Sequence, residues 1–237
     1  MLTIAIDSSQ DICTLALGKD SQLIAEYHFH HKMNLLQRIM PNVHYMLEDA
    51  KHKVQDIDGV IVSLGPGSFT GLRIGVTIAK SLSYVLSKPI VGVGTLDAIA
   101  RGVSPVEAQF ICPMVFARAN EVYWTLFDSS GEMRLDDYLV SPLSEVMEAV
   151  SKRGGDVHFC GSGATRNAET IRHKFGNSAL TGRAYSDFAR GAALLEIGTK
   201  RLREGDVDNA FALTPLYIKK PTPVVKLETG EFEKSKG

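Results

Sequence analysis

The sequence predicts an α/β protein made of two tandem βββαβα units, and three observations lead there. The uninterrupted apolar run "DGVIVSLG" at 58–65 has the composition of a strand buried on both faces. It passes through a glycine-rich bend, "GPGSFTG", into a helical pattern. The same order, three β-rich runs, a helix, a strand ending in glycine and a second helix, then recurs in the second half, which points to duplication.

Taken in order, β-rich runs at 2–7, 11–20 and 22–30 should pair antiparallel, with a hairpin turn over Gly18 to Ser21. Leu36, Ile39, Met40, Val43 and Leu47 recur at helical spacing over about 34–51, where Pro41 is expected to kink or divide the helix. After the strand at 58–65 and its bend, a helix runs to about residue 87 and a short strand fills 89–94. Strands are then expected at 109–118, 121–131 and 132–140, a helix at 141–153, a strand at 156–163 and a helix near 167–175. A long amphipathic helix over about 186–204, with Phe188, Ala192, Leu195, Ile197 and Leu202 among its apolar positions, is closed by Gly205 and Asp206.

These elements divide the chain into a first lobe at 1–104, a degenerate second lobe at 105–185, and a C-terminal helix and strand at 186–217 that pack back across the lobes. A charged, proline-punctuated tail at 218–237 is expected to be mobile. Two such units resemble the actin, sugar kinase and Hsp70 superfamily, in which nucleotide lies between two ribonuclease-H-like halves. That is a likeness of fold and assigns no activity.

At 237 residues and a formal charge of −1, the chain has the length for a substantial core and no basic surplus for gripping nucleic acid alone. Cys13, Cys112 and Cys160 are far apart and form no CxxC pair, against a disulfide framework or zinc knuckle. "MLTIAID" reads as a strand rather than a secretory leader, and no apolar run approaches bilayer length, so the cytoplasm is the expected address, with no membrane partner.

The bend fails both phosphate-loop patterns. Gly71 is followed by Leu72 and Arg73, not the Lys and Ser or Thr of a Walker A loop, and Gly65, Gly67 and Gly71 miss the dinucleotide spacing by one residue. Exposed amides at the helix start could still hold an anion, so Gly65, Gly67 and Ser68, with Arg73 beside them, are candidate phosphate contacts. Asp7 and Ser8, ending the first strand, join them by analogy with the superfamily's first phosphate loop; a turn cap explains the same residues without chemistry. Ser68 in "GPGSFTG" does not form a nucleophile elbow, and a helix cap at Ser68 or Thr70 is the ordinary reading. His28 and His30 share a strand face, but no H-x-x-x-H pair accompanies them, and no metal site is expected.

Gly71, Gly75, Ala79 and Ser83 fall four apart and line one face of the helix after the bend. Interior glycine costs about 1 kcal/mol relative to alanine, so another backbone should lie against this stripe. It either seats the helix on its own sheet or meets a partner; the second is the sharper expectation.

"GPGSFTGLRIG" after an apolar strand, together with "AIDSS" at 5–9, resembles the TsaB (YeaZ) family, and "ANEVYW" at 119–124 and "PLYIKK" at 215–220 resemble its later segments. The resemblance implies a non-catalytic subunit of the machinery that makes N6-threonylcarbamoyladenosine in tRNAs reading codons that begin with adenine. Its implied partners are the paralogous transferase TsaD, the ATPase TsaE and, without them, a second copy of itself; tRNA is met only through the complex. The family's contact helices correspond to about 34–51 and 69–87, so the implied interface comprises Leu36, Ile39, Met40, Val43, Gly71, Leu72, Gly75, Ala79 and Ser83. No catalytic residue and no cofactor is implied for this chain alone, although ADP or ATP could lodge at the partner interface. Phe116 stands where the family often has aspartate, which speaks against a polar site in the second half. The rival readings are a stand-alone nucleotide-dependent phosphotransferase or ATPase and, more weakly, a peptidase.

Overall fold

The computed structural model describes residues 1–31, 34–181 and 187–218; the segment from 219 onward, expected as a tail, lies outside them. β1 (Leu2–Asp7), β2 (Ile12–Lys19) and β3 (Gln22–His30) form an antiparallel meander, and Asp20 and Ser21, with φ of 51° and 77°, make its first turn. After α1 (Leu35–Asp49), β4 (Gly59–Gly65) adds to β1 in parallel, and after α2 (Phe69–Leu86), β5 (Ile90–Gly94) adds to β4. Register decides what each face carries. Ile4 lies opposite Leu17 and Val60, and Ile6 opposite Leu15 and Val62, so these residues form one apolar face, covered by α1 and α2.

The second sheet repeats the plan. β6 (Phe110–Arg118), β7 (Glu121–Trp124) and β9 (Leu139–Pro142) are antiparallel, while β10 (Val157–Cys160) and β11 (Ala179–Thr181) are parallel additions. The order β9-β7-β6-β10-β11 thus matches β3-β2-β1-β4-β5, with the two-residue β8 (Phe127–Asp128) as an extra on β6. This is the two-lobed actin-like fold that the repeat predicts. Each expected unit is present, and each is extended: α3 (Thr95–Val103) follows β5, and β11 with the last helix follows α4 (Leu143–Arg153), α5 (Ser162–Arg166) and α6 (Ala168–Phe175).

The last helix, α7 (Gly191–Glu204), lies with α3 between the lobes. Ala5, Ala16 and Ile61 of the first sheet, Leu96 and Ile99 of α3, Leu194 of α7 and Ile111 of β6 share one buried cluster, so the lobes are joined through a common core. No helix among the described residues is long and apolar enough to cross a membrane.

Five expectations are corrected. α1 runs unbroken through Pro41: Ile39 before it and Val43 and Met46 after it are buried on the sheet, and Asn42 donates a side-chain amide to the Arg38 carbonyl at 2.7 Å. Residues 132–138 are no strand, because the Asp128 carboxylate accepts the backbone N–H groups of Glu132 and Met133 and curls the chain, while Tyr138 donates to Asp97 of α3. Two helices, not one, follow β10, and the first begins directly at the Gly161 bend. α7 starts at Gly191, five residues late, where the Glu26 carboxylate of β3 accepts the Gly191 N–H at 2.6 Å. Beyond α7 the described residues form no strand, only an antiparallel bridge between Asp208 and Ile90.

Candidate functional site

The glycine bend is folded onto the chain itself. Gly65 holds φ at +104°, a conformation open to glycine, and aims the chain from β4 into α2. Ser68 caps α2 by accepting the Gly71 N–H at 3.2 Å, as expected. The Ser68 N–H donates to the Ser9 carbonyl at 2.6 Å, so this amide of the candidate phosphate cradle is already engaged. A side chain at Gly67 would overlap the same carbonyl.

Asp7 and Ser8 are used inside. Ser8 donates to the Gly71 carbonyl at 2.8 Å, and Asp7 accepts the Ser9 N–H at 3.0 Å. Both are buried. Burial raises the Asp7 carboxyl above its ordinary range, opposed by hydrogen bonds from Ser9 and Ser63 and by nearby His31. Its second oxygen, Oδ2, is buried without a hydrogen-bond partner.

The small-residue stripe also turns inward. A Cβ on Gly71 would overlap the Ser8 carbonyl, and one on Gly75 would overlap the Ser8 hydroxyl. Ala79 and Ser83 are buried, as are Leu72, Ile39 and Val43. Of the nine residues expected at a partner interface, the structure leaves Leu36 and Met40 exposed, at 63% and 40%; the other seven hold α1 and α2 on their own sheet. The backbone that approaches the glycines is the chain's own.

What α1 and α2 show to solvent is a different stripe. On α1 it is Leu36, Gln37, Met40 and Pro41, continuing to His44, Tyr45 and Glu48, and on α2 it is Thr70, Arg73, Thr77 and Ser81; its middle is apolar or small and polar, with charge at Arg73 and Glu48 toward its ends. The flanking cations are occupied within the chain: Arg38 donates to the His30 carbonyl and lies over Phe29, and Lys80 donates to the Phe211 and Leu213 carbonyls. Tyr84 and Val85 extend the face at the end of α2, 69% and 77% exposed. Sequence spacing selected the helices together with Leu36 and Met40 and missed the rest of this face, since an exposed threonine on an amphipathic helix carries no signal of its own.

Between the lobes lies a cleft of about 1020 Å³, lined by Ser9, Gly67, Ser68, Phe69 and Arg73 from the first lobe and by Phe116, Ser162 and Arg166 from the second. Gln10 spans it, donating to Ser162 at 2.8 Å, and the Phe116 N–H donates to the same hydroxyl. Gly67, Ser68 and Arg73 therefore meet here, whereas Asp7, Ser8 and Gly65 stay outside the lining. Among the described residues, no group of three or more His, Cys, Asp or Glu side chains is placed to hold a metal ion.

The family model described as TsaD, tRNA N6-adenosine threonylcarbamoyltransferase, matches residues 30–220. The tRNA threonylcarbamoyladenosine biosynthesis protein TsaB of Bacillus subtilis (strain 168) is 31% identical over 222 residues, spanning 92% of this chain and 94% of that one. The chain belongs to the TsaB (YeaZ) family. TsaB of Escherichia coli (strain K12) is 35% identical over 134 residues, covering 55% of this chain and 58% of that protein. Among solved structures, YeaZ from Pseudomonas aeruginosa superposes with a TM-score of 0.78 at 24% identity, covering 91% of this chain and 99% of that one, a likeness of fold. The match to a TsaD model shows that this TsaB-family chain and the transferase are built to a related pattern over most of its length.

Proposed function

We propose that this chain is a non-catalytic subunit in the formation of N6-threonylcarbamoyladenosine in tRNA, acting by docking a TsaD-type transferase on the outward face of α1 and α2. The names of its TsaB relatives support the pathway. The observation that carries the docking role is the exposed middle of this face, where Leu36, Met40, Pro41, Thr77 and Ser81 carry no charge, beside Arg38 and Lys80, which are satisfied within the chain. Short side chains on α2 let a partner helix approach closely, and the apolar residues of α1 supply area to bury. A partner built to the same pattern offers an equivalent helix pair, so two such faces pack in near-two-fold fashion; the same geometry serves a homodimer of the free chain.

In this reading catalysis belongs to the partner, a TsaE-type ATPase joins the assembly, and tRNA is held by the complex. The chain alone needs no cofactor, and ADP or ATP would enter at the partner interface. The sealed carboxylate of Asp7 argues against the rival phosphotransferase.

Met40→Asp places a charge at the centre of the face without touching the core. Association with the transferase, measured by calorimetry, should weaken by about 30-fold or more, the loss typical of a central interface residue. Undiminished affinity in the folded variant would remove the docking face, and ATP turnover by the purified wild-type chain alone would favour the enzyme.

A further inference from the structure

Residues 208–218 run beside α2 as a strap pinned at both ends. The Asp208 carboxylate accepts the Gly92 N–H of the edge strand β5 at 2.8 Å, and the Leu216 N–H donates to the Leu64 carbonyl at 2.8 Å. Between these points Asn209 closes a turn: its side-chain oxygen accepts the Phe211 N–H at 2.9 Å and its carbonyl accepts the Leu213 N–H at 2.9 Å. Lys80 of α2 donates to the Phe211 and Leu213 carbonyls, and Arg73 to the Tyr217 hydroxyl. Leu213 is buried in one cluster with Ile39 and Val43 of α1 and Val76 and Ala79 of α2, so helices and strap form a single layer on the first sheet. On this held backbone the Phe211 side chain is 80% exposed, its ring edge-to-face with Tyr84 at 5.9 Å between centroids. Exposed apolar residues scattered singly are ordinary. Two rings in contact on a fixed backbone are an apolar projection whose main-chain freedom is lost in folding, before a partner arrives.

We infer that the docking face is three elements wide, and that Phe211, backed by Tyr84, is its aromatic anchor, entering an apolar hollow on the TsaD-type partner; this rests on the docking role proposed above. Size supports the third element. α1 has eight exposed residues and α2 six, fewer than the roughly 20–30 that a stable interface takes on each side. The strap adds six more between Asn209 and Tyr217 and brings the layer to that size. Aromatic side chains seated in a partner's pocket carry much of the energy of such interfaces, while their neighbours mainly exclude water. The occupant is a partner rather than a second copy, because an isologous contact needs the hollow on the same face as the anchor. The inter-lobe cleft and the groove between the β2–β3 turn and α7 are lined neither by α1 nor by Tyr84 or Phe211, so a second copy docked through this face presents neither of them to the ring.

Calorimetry of the full chain against purified TsaD-type transferase compares Phe211→Ala, Tyr84→Ala and Met40→Asp with Met133→Ala, which removes an exposed apolar side chain from the second lobe. Phe211→Ala should melt with the wild type, since its ring lies outside the core, and should bind the transferase about 30-fold more weakly. Tyr84→Ala should lose about tenfold and Met133→Ala nothing. Weakening by Met40→Asp with Phe211→Ala unchanged would overturn the anchor and leave the helix face standing. Unchanged affinity in all three would overturn both, whereas a loss confined to Phe211→Ala and Tyr84→Ala would support the anchor and move the docking off α1. Sedimentation of the chain alone tests the occupant: a loss of self-association in Phe211→Ala, with transferase affinity intact, would give the ring to a second copy and overturn the assignment.

Discussion

Ser8 fills, with one carbonyl and one hydroxyl, the space that side chains at two positions of α2 would need. Gly75→Ala should therefore destabilise the protein by about 1–3 kcal/mol through overlap with the Ser8 hydroxyl, although alanine is the better helix former by about 1 kcal/mol. Ser8→Ala alone should cost about 1 kcal/mol through loss of its bond to the Gly71 carbonyl. Together the two changes should cost less than their sum, because the Ser8 Cβ lies an ordinary 3.4 Å from a Cβ built on Gly75. Urea unfolding of the four proteins measures the cycle, and strict additivity would mean that the glycine seat does not form. Gly71→Ala has no such remedy, since it meets the Ser8 backbone carbonyl. Here lies the boundary of what the sequence discloses: four small residues at a spacing of four announce a close backbone, but spacing carries nothing about whether that backbone is the chain's own. Likewise Arg73 is visible in the motif, whereas Arg166 and Phe116 become neighbours of the bend only when the two lobes meet.

At the scale of elements, α7 is positioned by a carboxylate from a distant strand. Glu26 of β3 accepts the Gly191 N–H, meets Arg190 at 3.0 Å and lies 3.2 Å from His28, with its side chain 8% exposed. Burial alone would raise its carboxyl, but hydrogen bonds from His28 and Arg190 outweigh that and bring it from 4.5 down to about 2. A depressed carboxyl contributes stability that is present above pH 4.5 and lost as pH falls toward 2, here about 2–3 kcal/mol in all. The melting temperature of the wild type should thus fall more steeply between pH 5 and about pH 2.5 than that of Glu26→Gln, which should be the less stable protein at pH 7. Parallel slopes would show that Glu26 is not charged against α7. The elements legible in the sequence were those whose pattern follows from one sheet face or two: the buried run of β4, the meander, and the buried positions of α1. α3 was overlooked because its nine residues, ending in Gly102 and Val103, are too short for a decisive period. The alternation in 132–140 imitates a strand, yet Asp128 and Asp97 capture its backbone and its tyrosine, and such tertiary capture has no periodicity.

The whole molecule is a nearly neutral pair of lobes joined by a shared core, with the largely apolar and small-residue middle of the α1–α2 face directed outward. A formal charge of −1 provides few phosphate neutralisations, so the chain alone should bind tRNA weakly or not at all at about 150 mM salt, and binding should appear with the partner. If the chain acts as proposed, bringing no reacting group, it can alter catalysis only by favouring one conformation of the protein it docks, and that preference vanishes with the contact. In a reconstituted system containing transferase and ATPase, leaving this chain out should abolish threonylcarbamoyl transfer to tRNA, and adding Met40→Asp should resemble leaving it out. The two results must fall together, because both remove the same coupling free energy, which for a shift from a minor to a dominant active state is on the order of 3–5 kcal/mol. Full transfer without the chain, or restored by a variant that no longer associates, would separate activity from docking and leave the outward face of α1 and α2 without its assigned role.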